Sequence, residues 1–236
     1  MKTILSVALA VLPAAVSAQA YQGAAVELHF QKYETNNGFD LTSVEGNLDA
    51  LWQLGGSLGV QAGLTLGKQI DSSDDIDLQQ YNAVSLHLTA DASDALRFGL
   101  LVSADNQADG IALVAGEALY LAGPLRVEGR LGDSFDKDFD YTLFEVNGSY
   151  AVTGPLAVRF GTSYSDFGDN GFYRVFTLGA GYTLGSGTEV YADLSRHTND
   201  FGASDPQDTG SIVDIGVRFD LGAGDTGKAF RYQPLK

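Results

Sequence analysis

The 236-residue sequence contains no cysteine, few basic residues and no long apolar run. Without cysteine the chain has no disulfide framework, and its length is well above the size at which small secreted domains depend on one. Its 14 Lys and Arg face 30 Asp and Glu, a formal net charge of −16. Nucleic-acid-binding proteins carry clustered basic residues, so no nucleic-acid partner is expected. The hydrophobic fraction, 44%, is too high for a disordered acidic chain.

The first segment has the pattern of a secretory signal peptide. Lys2 precedes an apolar stretch from Ile4 to Leu12, and Val16-Ser17-Ala18 supplies the small-x-small pattern that signal peptidase reads. We therefore predict a signal peptide over residues 1–18 and an exported protein. The apolar stretch is shorter than the roughly 20 residues of a transmembrane helix. Removing the signal takes away only Lys2, which leaves 13 basic against 30 acidic residues, a net charge of −17.

Beyond the signal, apolar and polar residues alternate strictly in one short segment after another. In residues 211–221, for example, apolar side chains fall on the odd positions from Val213 to Leu221, whereas Asp214 and Arg218 fall on the even ones. A two-residue period is typical of β-strands with one apolar face. It predicts twelve strands, at roughly 22–33, 40–52, 57–68, 79–91, 95–104, 111–121, 124–132, 141–152, 155–165, 172–184, 188–197 and 211–221.

The connections between these strands alternate between short and long. Five are tight: Leu54-Gly55-Gly56, Ala92-Ser93-Asp94, Gly123-Pro124, Gly154-Pro155 and Gly185-Ser186-Gly187. The other six are longer and acidic: 34–39, 70–78, 105–110, 133–140, 166–171 and 198–210. Outer-membrane barrels have this asymmetry of short periplasmic turns and long extracellular loops.

We therefore predict an all-β fold, a transmembrane antiparallel up-and-down β-barrel of about twelve strands over residues 19–221. A C-terminal periplasmic tail is predicted over 222–236. Because both chain ends fall on the short-turn side, the number of strands must be even, and twelve satisfies this condition.

Aromatic residues predict which face of the strands meets lipid. The apolar face is almost free of charge at mid-strand and carries aromatic side chains near both strand ends. Two belts that flank an aliphatic band are the girdles of a membrane barrel. A water-soluble barrel or sandwich would explain the alternation but not these belts. The predicted membrane-interface aromatics at the short-turn end are Trp52, Tyr120, Tyr150, Tyr182 and Phe219.

With these strands, turns and belts, residues 21–221 resemble Gram-negative outer-membrane β-barrel proteins of the porin-like superfamily. The resemblance lies in the architecture and not in a diagnostic motif. It implies a location in the cell outer membrane, in contact with outer-membrane lipid and lipopolysaccharide. One departure is the tail: such proteins commonly end on an aromatic residue of the last strand, whereas here GAGDTGKAFRYQPLK follows Leu221.

The opposite face of the strands predicts a polar lumen. Twelve strands enclose more space than the filled interior of eight and much less than the channel of a sixteen-stranded porin. We predict passive diffusion of small polar or ionic solutes, with no cofactor, and the excess of carboxylates predicts a preference for cations. The predicted lining residues are Glu27, His29, Glu45, Asp49, His87, Arg97, Glu117, Arg126, Glu128, Arg130, Glu145, Arg159, Glu189, Asp193, Asp214 and Arg218.

Two other functions are compatible with the same pattern. Arg126 and Arg130 lie on a strand whose neighbours carry Glu117 and Glu145, and such charges can pair across strands and close the lumen of a structural or surface-interaction barrel.

An outer-membrane lipid hydrolase or protease needs a nucleophile and a base within hydrogen-bond reach. Ser195 and His197, the best-placed pair, are two residues apart on one strand, a separation of about 6.5–7 Å. The sequence therefore predicts no enzyme. We interpret the acidic residues of the loops, such as Asp71, Asp133 and Asp205, as solvated loop residues and predict no metal site, although clustered carboxylates could bind Ca²⁺ or Mg²⁺ weakly.

Overall fold

The structure is a computed structural model that describes residues 21–73, 78–106, 112–135, 140–185, 187–200, 207–222 and 229–231. The predicted signal peptide lies outside the described residues. So do parts of the long acidic loops, including residues 74–77, 136–139 and 201–206, and most of the tail that follows the last strand.

Twelve β-strands account for nearly all of this described part. A 3₁₀ turn, Gly168–Asn170, lies between the ninth and tenth strands, and no helix within the described ranges is long and apolar enough to cross a membrane. The strands are β1 (Tyr21–Thr35), β2 (Asp40–Gly55), β3 (Leu58–Ser72), β4 (Gln80–Asp91), β5 (Leu96–Asp105), β6 (Leu113–Ala122), β7 (Leu125–Ser134), β8 (Thr142–Thr153), β9 (Leu156–Asp166), β10 (Phe172–Leu184), β11 (Thr188–Asp200) and β12 (Asp208–Leu221).

Each strand pairs with the next in sequence, and β12 pairs with β1, so the sheet closes into a barrel. The closing pair runs antiparallel from Ala24 opposite Leu221 to Thr35 opposite Gly210. The predicted antiparallel up-and-down barrel of twelve strands is therefore confirmed. The main difference lies at the long-loop end, where β3 reaches Ser72 and β11 reaches Asp200, beyond the predicted strand ends.

Glycine makes the short turns possible. Gly123 and Gly154 have φ angles of +56° and +48°, in the left-handed region where a Cβ is costly. Each is followed by a proline in a two-residue connection. Glycine at the first central position is the requirement of a type II′ turn, which matches the twist of the two strands that it joins.

The large apolar side chains are on the outside of this barrel. Leu131, Leu178 and Leu194 are 60%, 65% and 60% exposed, whereas the polar side chains of Gln61, His87 and His197 are fully buried. A water-soluble barrel has the opposite distribution, so the outer surface is suited to lipid.

The five predicted interface aromatics lie on the outer surface. Tyr120, Tyr150, Tyr182 and Phe219 are exposed, and Trp52 packs against Tyr21 with ring centroids 6.3 Å apart. Their contact with the membrane interface stays a prediction.

The inner surface is not polar throughout. Leu101, Leu113, Ala115 and Leu143 form a buried apolar cluster on the inner face of β5, β6 and β8, with Tyr141 packed against it. One wall of the lumen is therefore apolar, a feature that was not predicted.

Candidate functional site: the lumen of the barrel

The barrel encloses a cavity of about 250 Å³. Nine of the sixteen predicted lining residues line it, while the other seven are held in the ion pairs or hydrogen bonds described below. Their role in permeation stays a prediction. The nine are Glu27, Asp49, Arg126, Glu128, Glu145, Arg159, Asp193, Asp214 and Arg218; the seven are His29, Glu45, His87, Arg97, Glu117, Arg130 and Glu189.

Arg130 on β7 is the centre of the largest ion-pair network. Its side chain is 1% exposed, and the guanidinium donates from Nε to Glu117 Oε1 (2.9 Å) and from Nη1 to Glu145 Oε2 (2.7 Å). Glu128 lies 3.4 Å from Nη2. These pairs follow from the register, because β7 places Arg130 opposite Glu117 on β6 and opposite Glu145 on β8. The cross-strand pairing that the sequence suggested is therefore present.

A second network surrounds Arg159 and Arg218. Arg159 pairs with Asp193 at 3.0 Å and with Glu189 at 3.3 Å. Arg218 pairs with Glu27 at 3.4 Å, and Glu27 also accepts a 2.6 Å hydrogen bond from the Tyr191 hydroxyl. The arginines that face the cavity are thus matched by carboxylates.

Two histidines also hold carboxylates in the interior. His29 lies between Glu45, 2.8 Å from Nε2, and Asp214, 3.0 Å from Nδ1. Each nitrogen can donate to its carboxylate only if it carries a proton. His87 contacts Glu117 at 2.7 Å through Nδ1. Arg97, near the short-turn end, holds Asp91 through two bonds of 2.7 and 3.0 Å.

Part of the C-terminal tail lies inside the barrel. Phe230 is fully buried, and its ring stacks on His87 with centroids 5.9 Å apart and planes 2° apart. Ala229 is also buried, and Arg231 lines the cavity. Of the segment predicted as a periplasmic tail, the residues that the structure describes after Gly222 are therefore in the lumen. No pattern in the sequence predicts this placement.

The histidine considered for catalysis has other partners. His197 Nδ1 faces the Tyr33 hydroxyl at 3.4 Å and Nε2 faces the carbonyl oxygen of Glu34 at 3.3 Å, and the Ser195 hydroxyl pairs with Thr177 at 2.8 Å. Serine and histidine therefore do not form a nucleophile–base pair. In the described ranges, no group of three or more His, Asp or Glu could hold a metal ion.

Comparison with known proteins identifies the family. The family model of Gram-negative porins matches residues 58–202, whereas no curated protein matches the sequence. An outer-membrane channel from Pseudomonas putida F1 superposes with a TM-score of 0.60 at 15% identity, over 87% of this chain and 100% of that one.

The fold is also that of two other porins. The NanC porin gives a TM-score of 0.57 at 11% identity, over 83% of this chain and 100% of that one. The KdgM porin gives 0.53 at 8%, over 82% and 98%. Because the family model covers more than half of the sequence, this protein belongs to the Gram-negative porins, transport barrels of the outer membrane, and not to the barrel enzymes.

Proposed function

We propose that this porin is a narrow channel through which small polar or ionic solutes diffuse passively, with a preference for cations. The cavity inside the barrel carries the proposal, because it combines a polar lining with a surplus of negative charge. Six carboxylates and four arginines line it: Glu27, Asp49, Glu128, Glu145, Asp193 and Asp214, and Arg126, Arg159, Arg218 and Arg231.

Asp49 is the lining carboxylate that best explains the selectivity. It accepts a 3.1 Å hydrogen bond from Gln61 Nε2, and it forms no ion pair with any residue in the described part of the chain. Glu27, Glu128, Glu145 and Asp193, in contrast, each pair with an arginine. An unneutralised carboxylate in a narrow lumen attracts cations and repels anions.

The solute does not follow from the fold. One structure of the KdgM porin is a complex with oligogalacturonate, and CymD, with a TM-score of 0.54 at 10% identity, is a monoaromatic hydrocarbon channel. One barrel architecture thus accommodates an acidic sugar polymer and apolar rings. We infer the solute class of this chain from its own charged lining.

We also propose the cellular context. The signal peptide would direct export, and the exposed aromatics of the outer surface would contact outer-membrane lipid and lipopolysaccharide at the membrane interface.

A structural barrel with a closed lumen is the second candidate. The burial of Arg130 among Glu117, Glu128 and Glu145 favours it, because paired charges fill and stiffen an interior without conducting. The two candidates differ in one measurable property, which is the conductance of the purified protein.

In a planar bilayer with a salt gradient, we expect the wild-type protein to show a reversal potential of the sign given by cation preference. Asp49→Asn retains an acceptor for Gln61 and removes the charge, so the cation-to-anion permeability ratio should fall by about twofold or more. Asp166→Asn, at the exposed end of β9, is the matched control and should leave the ratio unchanged. Anion preference would contradict the selectivity, and absence of conductance in the wild-type protein and in every variant would favour the closed barrel.

A further inference from the structure

We propose that the lumen contains a binding site for an extended peptide, and that the chain's own residues Ala229–Arg231 occupy it as a plug that limits conductance. This inference rests on the proposed channel function, since a plug has a measurable effect only in a conducting barrel. The plug is defined as these three residues, and the site as the side chains that hold them.

The site recognises main-chain groups on both sides of Phe230. Gln61 binds this residue twice, as Nε2 donates to its carbonyl oxygen (2.6 Å) and Oε1 accepts from its N–H (2.8 Å). Arg126 Nη2 donates to the carbonyl oxygen of Ala229 at 2.7 Å, and Glu128 Oε1 accepts from the N–H of Arg231 at 3.0 Å. A paired amide of this kind binds a peptide much as a neighbouring β-strand does.

One more contact completes the main-chain recognition. Arg130 Nη2 donates to the carbonyl oxygen of Arg231 at 3.2 Å. Three consecutive residues are thus bound by side chains from β3 and β7. Because all of these hydrogen bonds are made to main-chain N–H and C=O groups, the site is suited to a peptide.

A socket receives the ring of Phe230. Gly99 on β5 lies below it, and a Cβ added at Gly99 would be 2.8 Å from Phe230 Cε2 and 3.1 Å from Glu117 Oε2. Any side chain at this position would therefore collide with the ring. His87 supplies the stacking surface. Gly99 leaves room for the ring of Phe230, and the imidazole of His87 on β4 stacks against it. The site is therefore suited to an aromatic side chain.

Arg231 adds a positive charge to the lining of the cavity. Its guanidinium lies 3.6 Å from Glu189, and it shares the cavity lining with Arg126, Arg159 and Arg218. A fixed cation at this point opposes the entry of other cations. The plug thus narrows the lumen sterically and reduces its negative charge.

The chain is long enough to reach the site without loosening the wall. β12 ends at Leu221, and seven residues, 222–228, separate it from Ala229. Seven residues span up to about 23–25 Å when extended. Gln61, His87, Gly99 and Arg126 all lie near the short-turn ends of their strands, the end at which β12 finishes.

The test compares full-length protein with two variants that release the plug by different means. Phe230→Ala removes the ring, and Gly99→Val fills the socket. Because the sequence lacks cysteine, Ala229→Cys introduces a single thiol whose reaction with a water-soluble methanethiosulfonate reports release independently of conduction. We expect this reaction to accelerate about tenfold or more in either background, and single-channel conductance to rise about twofold or more.

Matched controls change the same residue types outside the lumen. Phe176 is 53% exposed on the outer surface, and Gly116 has only the carbonyl oxygen of Leu131, at 3.9 Å, near an added Cβ. Phe176→Ala and Gly116→Val should change neither the conductance nor the rate at which the thiol introduced by Ala229→Cys reacts. Heat-modifiable migration on a gel shows whether each barrel is folded. If one releasing variant does not fold, the other still tests the plug.

Each outcome decides between the proposals. Faster thiol reaction together with higher conductance supports the plug. Faster reaction with an unchanged, finite conductance overturns the plug and leaves the channel intact. Rapid reaction of A229C in an otherwise wild-type chain overturns the docking itself. If no variant conducts although the thiol has become accessible, both the channel function and the plug are overturned.

Discussion

Replacement of Arg130 by alanine is expected to lower the free energy of unfolding by about 3–5 kcal/mol. The guanidinium is buried among Glu117, Glu128 and Glu145. Without it, these three carboxylates would remain close together in the interior, and Arg126 would be the one basic residue left on β7. Removal of one partner from a buried ion pair is costly because the other keeps its charge without its solvent.

Unfolding by guanidinium of the protein in lipid vesicles measures this loss. Trp52 is the only tryptophan, so its fluorescence reports the transition without interference. Arg196→Ala is the control: this exposed arginine donates to the Thr209 hydroxyl at 3.2 Å, and its loss should cost no more than about 0.5 kcal/mol. The triple variant with Arg130→Met, Glu117→Gln and Glu145→Gln should regain most of the stability. Equal losses for Arg130 and Arg196 would contradict the importance of the network.

Leu178→Arg is expected to destabilise the protein by about 2–4 kcal/mol in a bilayer. Leu178 is at the middle of β10 and is 65% exposed on the outer surface. An arginine there would place its charge at the depth of the hydrocarbon. The cost falls to about 0–1 kcal/mol near the interfaces, where a long side chain can reach the headgroups.

Leu184→Arg is the matched control on the same strand and face. Leu184 is the last residue of β10, at the short-turn end, and is also exposed. The same unfolding measurement should give a small effect for this variant and a large one for Leu178→Arg. If both were neutral, the outer surface would not face hydrocarbon, because arginine on a water-exposed surface carries no such cost.

The strand pattern was predictable because each strand specifies its own faces. A shift of one residue would move every apolar side chain of β12 from the outer surface to the inner one, so local alternation is enough to assign the register. The pairing of Arg130 with Glu117 follows directly, since the short turn Gly123-Pro124 determines which residues of β6 and β7 become neighbours.

The filling of the interior was not predictable in the same way. Leu101, Leu113 and Leu143 are on the inner face with the charged residues, and alternation does not indicate which inner positions meet one another across a closed barrel. Tyr81 and Tyr191 also point inward, where they cover Gly67 and Gly216 and bind Glu45 and Glu27. Alternation assigns Tyr81 and Tyr191 to the lumen face, but it does not reveal which glycines and carboxylates these side chains meet there.

The plug is the clearest example of this limit. Phe230 contacts Gln61, which lies 169 residues away in sequence, and it does so through main-chain atoms. Main-chain recognition leaves no mark on residue type. The only traces in the sequence are Gly99 and an aromatic residue after the last strand, and no periodic pattern links these two positions.

The pairing of β1 with β12 also determines the order of events during biogenesis. The wall is incomplete until the last strand has been synthesised and joined to the first, with Leu221 opposite Ala24. Ala229–Arg231 follow that strand in the chain, and their seat is divided between β3 and β7, which face the same enclosed space only after the sheet has curled. We therefore expect the plug to dock late in the assembly of the barrel, after the wall has curled enough to bring β3 and β7 to the same space.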